Sequence, residues 1–206
     1  MSLYASYKQA VKDRFPHLPD SDECGERMGV LEHLDPRARV LEIGANRGGV
    51  SSLIAAILHD SNNLVAVEPI ASTCEGLQQL GNSLRTPFRT FAGVVKGAGK
   101  PDVDCTGEKN SYARCVPCEC PATENLTIDE LEKRFDIEFT ALVVDCEGCF
   151  TSFLPDALQK RSIVQINIEW DGPFMEKEIL DAGFVHVATY QHCGLPNGVR
   201  VYNRPN

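Results

Sequence analysis

The sequence predicts an α/β fold built on a mostly parallel sheet, and three observations carry that expectation. From residue 40 onward, apolar runs of strand length alternate with stretches of helical period. The connections between them have the length of βαβ units, whose crossovers are right-handed. The last segment, "FVHVATYQHCGLPNGVRVYNR", instead reads as two strands around a turn-rich middle, an antiparallel hairpin.

Each element has its own signal. Residues 1–36 form a helical lead-in: "ECGERMGVLEHL" sets Met28, Val30, Leu31 and Leu34 along one side, and Asp35-Pro36 closes it. Val40–Gly44 is a buried strand, followed by Val50, Leu53, Ile54, Ile57 and Leu58 at helical spacing. "NNLVAVEP" gives a second strand over 64–68, stopped by Pro69. Cys74, Leu77 and Leu84 mark a helix, and "FRTFAGVV" a third strand. Residues 96–125 break this rhythm. They are rich in Gly, Pro, Asp, Asn and Cys and read as a long functional loop or hairpin inserted in a single domain spanning 1–206. Thr127 and Glu130 have capping-box spacing at the head of "TIDELEKRF". "TALVVDCEG" and "SIVQINIEW" are further strands. "PFMEKEILDAG" carries Pro173 at a helix start and Gly183 past its end.

Composition narrows the function. Net charge is −9 and no dense Lys/Arg block occurs, so a nucleic-acid backbone is a poor partner and a small or neutral acceptor a better one. No apolar run reaches the roughly 20 residues of a membrane span, and "MSLYASYKQAVKDRF" lacks the apolar core of a signal peptide. Nine cysteines, an odd number, read as reduced thiols or a metal site, which favours the cytoplasm.

The chemistry concentrates in "VLEIGANRGGVSSLIAAI". A strand, a glycine-spaced turn and a helix N-terminus bring bare backbone and N–H groups close to a ligand. A dinucleotide fold wants G-x-G-x-x-G, yet Ala45 stands at the second glycine, which disfavours a nicotinamide oxidoreductase. S-adenosylmethionine wants an acid near the first turn and another at the end of the next strand. Glu42 and Glu68 meet both needs.

With these residues in view, the chain resembles the FkbM family of S-adenosylmethionine-dependent methyltransferases. "LEIGANRGG", "VAVEP", the region of Asn82, "TIDEL" and "VVDCEG" follow the order of that family's motifs across residues 38–185. Glu42 replaces the family's usual Asp, and Phe150 stands where a second Glu is frequent. The resemblance implies a Rossmann-like class I methyltransferase fold, with seven strands, a C-terminal antiparallel hairpin and helices on both faces. It implies methyl transfer to a hydroxyl oxygen of a small-molecule, sugar or lipid-like acceptor. The Phe150 departure motivates an alternative, a cofactor-binding protein without turnover.

Roles follow residue by residue. Gly44, Asn46 and Gly48 shape the turn around the methionine moiety. Glu68 accepts the ribose hydroxyls, and Val94 packs on the adenine. Asp145 and Glu147 end the fourth strand, where open α/β sheets bind ligands, with Asp145 near the sulfonium and Glu147 toward the acceptor. The base that removes the hydroxyl proton is Asp145, Glu147, Glu169 or His192. A trio of Asp145, Glu169 and Asp171 offers hard oxygen ligands for Mg²⁺ or Ca²⁺, but its pattern is not distinctive and no metal ligand is assigned. Cys115-x-x-Cys118 and Cys146-x-x-Cys149 have the form of a four-thiolate zinc site, against which stand free thiols or a Cys115–Cys120 disulfide. Cys24, Cys74 and Cys193 read as small apolar fillers. The sequence does not fix the oligomeric state.

Overall fold

The central strands form where β-branched and leucine residues run together, and every residue of three of them is buried: β1 (Val40–Ile43), β2 (Leu64–Glu68) and β7 (Ala141–Val144). The computed structural model describes residues 3–106, 114–146, 148–169, 175–191 and 198–205. The remaining strands are β3 (Arg89–Val95), β4 (Val103–Thr106), β5 (Arg114–Pro117), β6 (Glu124–Leu126), β8 (Gln165–Glu169), β9 (Val185–Gln191) and β10 (Gly198–Asn203). The main sheet has the order β6-β3-β2-β1-β7-β8-β10-β9. All its pairings are parallel except those of β10 with β8 and with β9. The architecture is the expected one, with eight strands in place of seven. The added strand is β6, three residues pairing with the end of β3, too short to leave a period in the sequence.

Helices cover both faces. The strand alternation sends Val40, Ala66, Ala141, Val143 and Val201 to one side. There they meet α1 (Leu3–Arg14), α2 (Cys24–His33), α3 (Gly49–Ile57) and α4 (Ala71–Ser83). Leu41, Ile43, Leu142, Val144, Ile166 and Ile168 face the other side, against α5 (Ile128–Phe135), α6 (Phe150–Gln159) and α7 (Glu176–Asp181). The Thr127–Glu130 capping box is formed: the Thr127 hydroxyl accepts from the Glu130 amide, and the Glu130 carboxylate accepts from the Thr127 amide at 2.8 Å. Helix α6 was not anticipated, because Pro155 interrupts the helical signal. A ring at the sixth helical position removes one backbone bond, which Phe150, Phe153 and Leu154 offset by complete burial. Helix α7 begins at Glu176, later than Pro173 suggests, and Pro173 itself lies outside the described residues.

The insertion is built as a hairpin, β4 pairing antiparallel with β5, and a Cys105–Cys115 disulfide crosses it. Asp104 accepts from the Ala122 and Thr123 amides, and Asn125 bonds both the amide and the carbonyl of Val103. These bonds tie the hairpin to the β6 edge. At its base the Gly97 amide donates to Ser152 and the Ala98 amide to Asp156, both on α6. The insertion is thereby held over the carboxyl edge of the sheet.

The cysteines correct the sequence reading. Cys146 pairs with Cys149 and Cys115 with Cys105, so neither the four-thiolate zinc set nor a Cys115–Cys120 bridge is available. Cys24 is disulfide-bonded and is not a mere filler, whereas Cys74 is a buried free thiol. Cys118 and Cys120 are free, and Cys193 lies outside the described residues. Disulfides belong to oxidising surroundings, so the argument from reduced thiols to the cytoplasm loses its ground. Among the described residues no helix is long and apolar enough to cross a membrane.

Candidate functional site

The strand order reverses at β1, with β2 and β3 on one side and β7 and β8 on the other. In open α/β sheets the crevice at such a switch point, beyond the carboxyl ends of the strands, is where ligands bind. Here Gly44 leaves β1 and Asp145 leaves β7 side by side, joined by the Asp145 amide donating to the Ile43 carbonyl at 2.9 Å. Gly44 has φ +91°, and a Cβ there would fall on the Asp145 carbonyl, so this position admits only glycine. Asn46 and Gly48 also have positive φ, which turns the chain sharply into α3.

A cavity of about 110 Å³ opens at this point. Its walls include the turn (Gly44, Asn46), the end of β2 (Glu68, Pro69), Val94 on β3 and Asp145. Cys115 of the insertion and the Cys146–Cys149 disulfide complete it. Glu68 is 6% exposed, and each of its oxygens is fixed by a backbone amide, Asn46 on one and Ile70 on the other, both at 3.0 Å. Burial pushes its carboxyl up, and those two amide bonds pull it back. Each oxygen keeps a second lone pair for a ligand hydroxyl.

A second, smaller cavity of about 10 Å³ adjoins the first and shares Ile43, Gly44 and Asp145 with it. Its acidic lining is Glu23 and Glu26 from the lead-in, Glu42 from β1, and Asp145. Glu42 is 3% exposed, and burial pushes its carboxyl up to about 8, with the Glu23 charge adding to the rise and the Ser51 hydroxyl opposing it. Glu23 lies over Gly49, the first residue of α3, beside Ser21. Asp145 is raised well beyond the ordinary carboxylate range. Burial is the largest cause, followed by its hydrogen bond to Glu169 and the charges of Glu169, Glu26 and Glu23.

The sequence-derived residues therefore separate into groups. Gly44, Asn46, Glu68, Val94 and Asp145 share the larger cavity. Glu42 stands on the smaller one, so the two glutamates expected around one pocket flank two adjoining cavities. Gly48 lines neither and serves as the left-handed cap of α3. Asp145 and Glu169 are brought into contact; Glu147, Asp171 and His192 lie outside the described residues. Sequence reasoning missed Glu23 and Glu26. A signal existed in Glu26, an acidic residue one turn before the fully buried Val30 on the same helix face.

No protein-family model matches the chain, and no curated protein matches it in sequence. Solved structures do match. The O-methyltransferase TomG from Streptomyces achromogenes, involved in tomaymycin synthesis and in complex with SAM, superposes with a TM-score of 0.51 at 12% identity. That match covers 100% of this chain and 91% of TomG. Aeropyrum pernix fibrillarin, with natively bound S-adenosyl-L-methionine, gives 0.52 at 10% identity over 86% of this chain and 72% of its own. The ribosomal protein L11 methylase from Lactobacillus delbrueckii subsp. bulgaricus gives 0.52 at 10% identity over 88% and 78%. The fold is Rossmann-like, of the kind these methyltransferases share. At such identities the likeness concerns the fold, and function has to be argued from the site.

Proposed function

We propose that the chain is an S-adenosylmethionine-dependent methyltransferase, of the FkbM type its motifs resemble, acting on a hydroxyl of a small-molecule, sugar or lipid-like acceptor. The observation that carries this reading is Glu68: a buried carboxylate, locked by two backbone amides at the end of the strand beside the switch point, with lone pairs left for a vicinal diol. Val67, Pro69, Val94 and Val95 give the same cavity an apolar wall suited to a purine. The side-chain-free approach at Gly44 suits the methionine portion.

When bound, S-adenosylmethionine supplies an electrophilic methyl group on sulfur. The chain's own contribution is positioning and proton handling. The turn at 44–48 and Glu68 hold the nucleoside against β1 and β2, which aligns donor and acceptor for in-line displacement. Asp145 lies on the cavity wall with Glu169 bonded to it, and this pair offers the oxygen that takes the acceptor's proton. The SAM-bound TomG and fibrillarin structures support the cofactor reading. The net charge of −9 supports an acceptor other than a nucleic-acid backbone.

Calorimetric titration with S-adenosylmethionine tests the proposal. The parent chain should bind it. Glu68→Ala, which removes charge-assisted hydrogen bonds worth about 1.5–3 kcal/mol, should bind about 10- to 100-fold more weakly. Unchanged affinity in the variant removes the ribose assignment. Stoichiometric binding of a reduced nicotinamide dinucleotide in place of S-adenosylmethionine replaces the methyltransferase reading with an oxidoreductase one. Cofactor binding without turnover across a panel of hydroxyl acceptors leaves the binding-protein alternative.

A further inference from the structure

Five carboxyl groups gather on the α2 side of the switch point: Glu23, Glu26, Glu42, Asp145 and Glu169. Three of them, Glu26, Asp145 and Glu169, each bring one carboxylate oxygen within 4.8 Å of the other two. Oxygens that share one Mg²⁺ or Ca²⁺ are at most about 4–5 Å apart, so these three are near enough to hold one ion. The charges that raise Asp145 most are those of Glu169, Glu26 and Glu23, all negative.

Glu42 supplies an independent observation. Its carboxylate is 3% exposed, opens onto the same small cavity as Glu26 and Asp145, and its Oε2 has no hydrogen-bond partner. An acceptor left bare in the interior is costly, and natural interiors rarely keep one without a guest. The cavity has about the room of one water-sized guest. A water there donates to two oxygens at most, whereas a compact cation meets three or more at once.

We infer that a hard divalent cation, Mg²⁺ or Ca²⁺ in chemical type, binds between Glu26, Asp145 and Glu169, with Glu42 facing it from β1. The ligand set contains only carboxylate oxygens, with no thiolate or imidazole, which selects this class over zinc. The set differs from the trio foreseen in the sequence, because the third ligand comes from the lead-in helix. Glu26 is buried on α2 one turn before Val30, so its carboxylate meets the ion from inside the fold. The binding of the ion stands on these residues alone. Its catalytic use, as an anchor for the acceptor oxygen beside the methyl donor, rests on the methyltransferase reading.

The test uses the full chain, stripped of metal with a chelator and titrated with Mn²⁺ while the free-ion paramagnetic resonance signal is followed. One equivalent should bind and be displaced by Mg²⁺ or Ca²⁺. Glu26→Gln and Glu169→Gln should each weaken binding by about tenfold or more, while Glu178→Gln, exposed on α7, should leave it unchanged. Thermal unfolding of the metal-free variants verifies that they are folded, and either ligand variant alone suffices. A folded variant that binds Mn²⁺ as tightly as the parent overturns the inference, as does a folded parent that binds none. Calorimetry with S-adenosylmethionine on the same samples separates the two readings: cofactor bound without Mn²⁺ sinks the ion and spares the cofactor, and the reverse result does the opposite.

Discussion

The two faces of the central sheet are made to different standards. On the face covered by α5, α6 and α7, the buried layer is hydrocarbon and aromatic: Leu41, Leu142, Ile166, Ile168, Phe139, Phe150 and Phe153 all have almost no exposure. On the face covered by α1 to α4, the strands and helices bury Glu26, Arg27, Glu42, Ser51, Gln165 and Asn167 among the apolar residues. Several of these carry atoms with no hydrogen-bond partner, including Glu42 Oε2 and both polar atoms of the Asn167 side chain. One face is built for stability, and the other gives up stability to hold a site. The sheet lets both coexist, because alternate residues of one strand serve opposite sides.

The largest expected effect lies on the dry face. Phe153→Ala removes a fully buried ring from the cluster around α6 and should lower unfolding free energy by about 3–5 kcal/mol, read from denaturant midpoints. The molecules that remain folded should keep the parent's affinity for S-adenosylmethionine. If affinity falls in step with stability, the two faces are not separate in the way the packing implies.

Glu42→Gln probes the other face and should act with the opposite sign. It replaces a desolvated carboxyl by a neutral amide of the same shape, so the metal-free chain at pH 8 should gain about 1–3 kcal/mol. Metal affinity should fall at the same time. A loss of stability would mean that this carboxylate is supported by its surroundings better than its bare oxygen indicates. Thr127→Ala is the mildest of the three. It opens the capping box of α5 and should cost about 1 kcal/mol in a thermal melt, without moving any binding constant.

The dry face was the easier of the two to read from sequence. Runs such as Ala141–Val144 and the capped helix from Thr127 obey local rules, so their signals lie within a few residues. Helix α6 and strand β6 escaped because Pro155 masks one and brevity hides the other. The turn residues Gly44 and Asn46, and Glu68 and Asp145 at strand ends, were legible because each follows a strand by a fixed offset. Glu26 was not, since what defines it is a meeting with Asp145, just past β7, and Glu169, the last residue of β8, more than a hundred positions away, and no local pattern encodes that approach. The separation of Glu42 from Glu68 was hidden for a related reason. Glu42 points to the α2 and α3 side partway along its strand, whereas Glu68 ends its own strand and reaches over the edge.

Asp145 is a shared wall between two rooms. Any guest in one that moves this carboxyl, or changes its charge, alters the welcome offered in the other. Thermodynamic linkage makes that influence mutual and equal in size, so occupancy measured on either side reports on both.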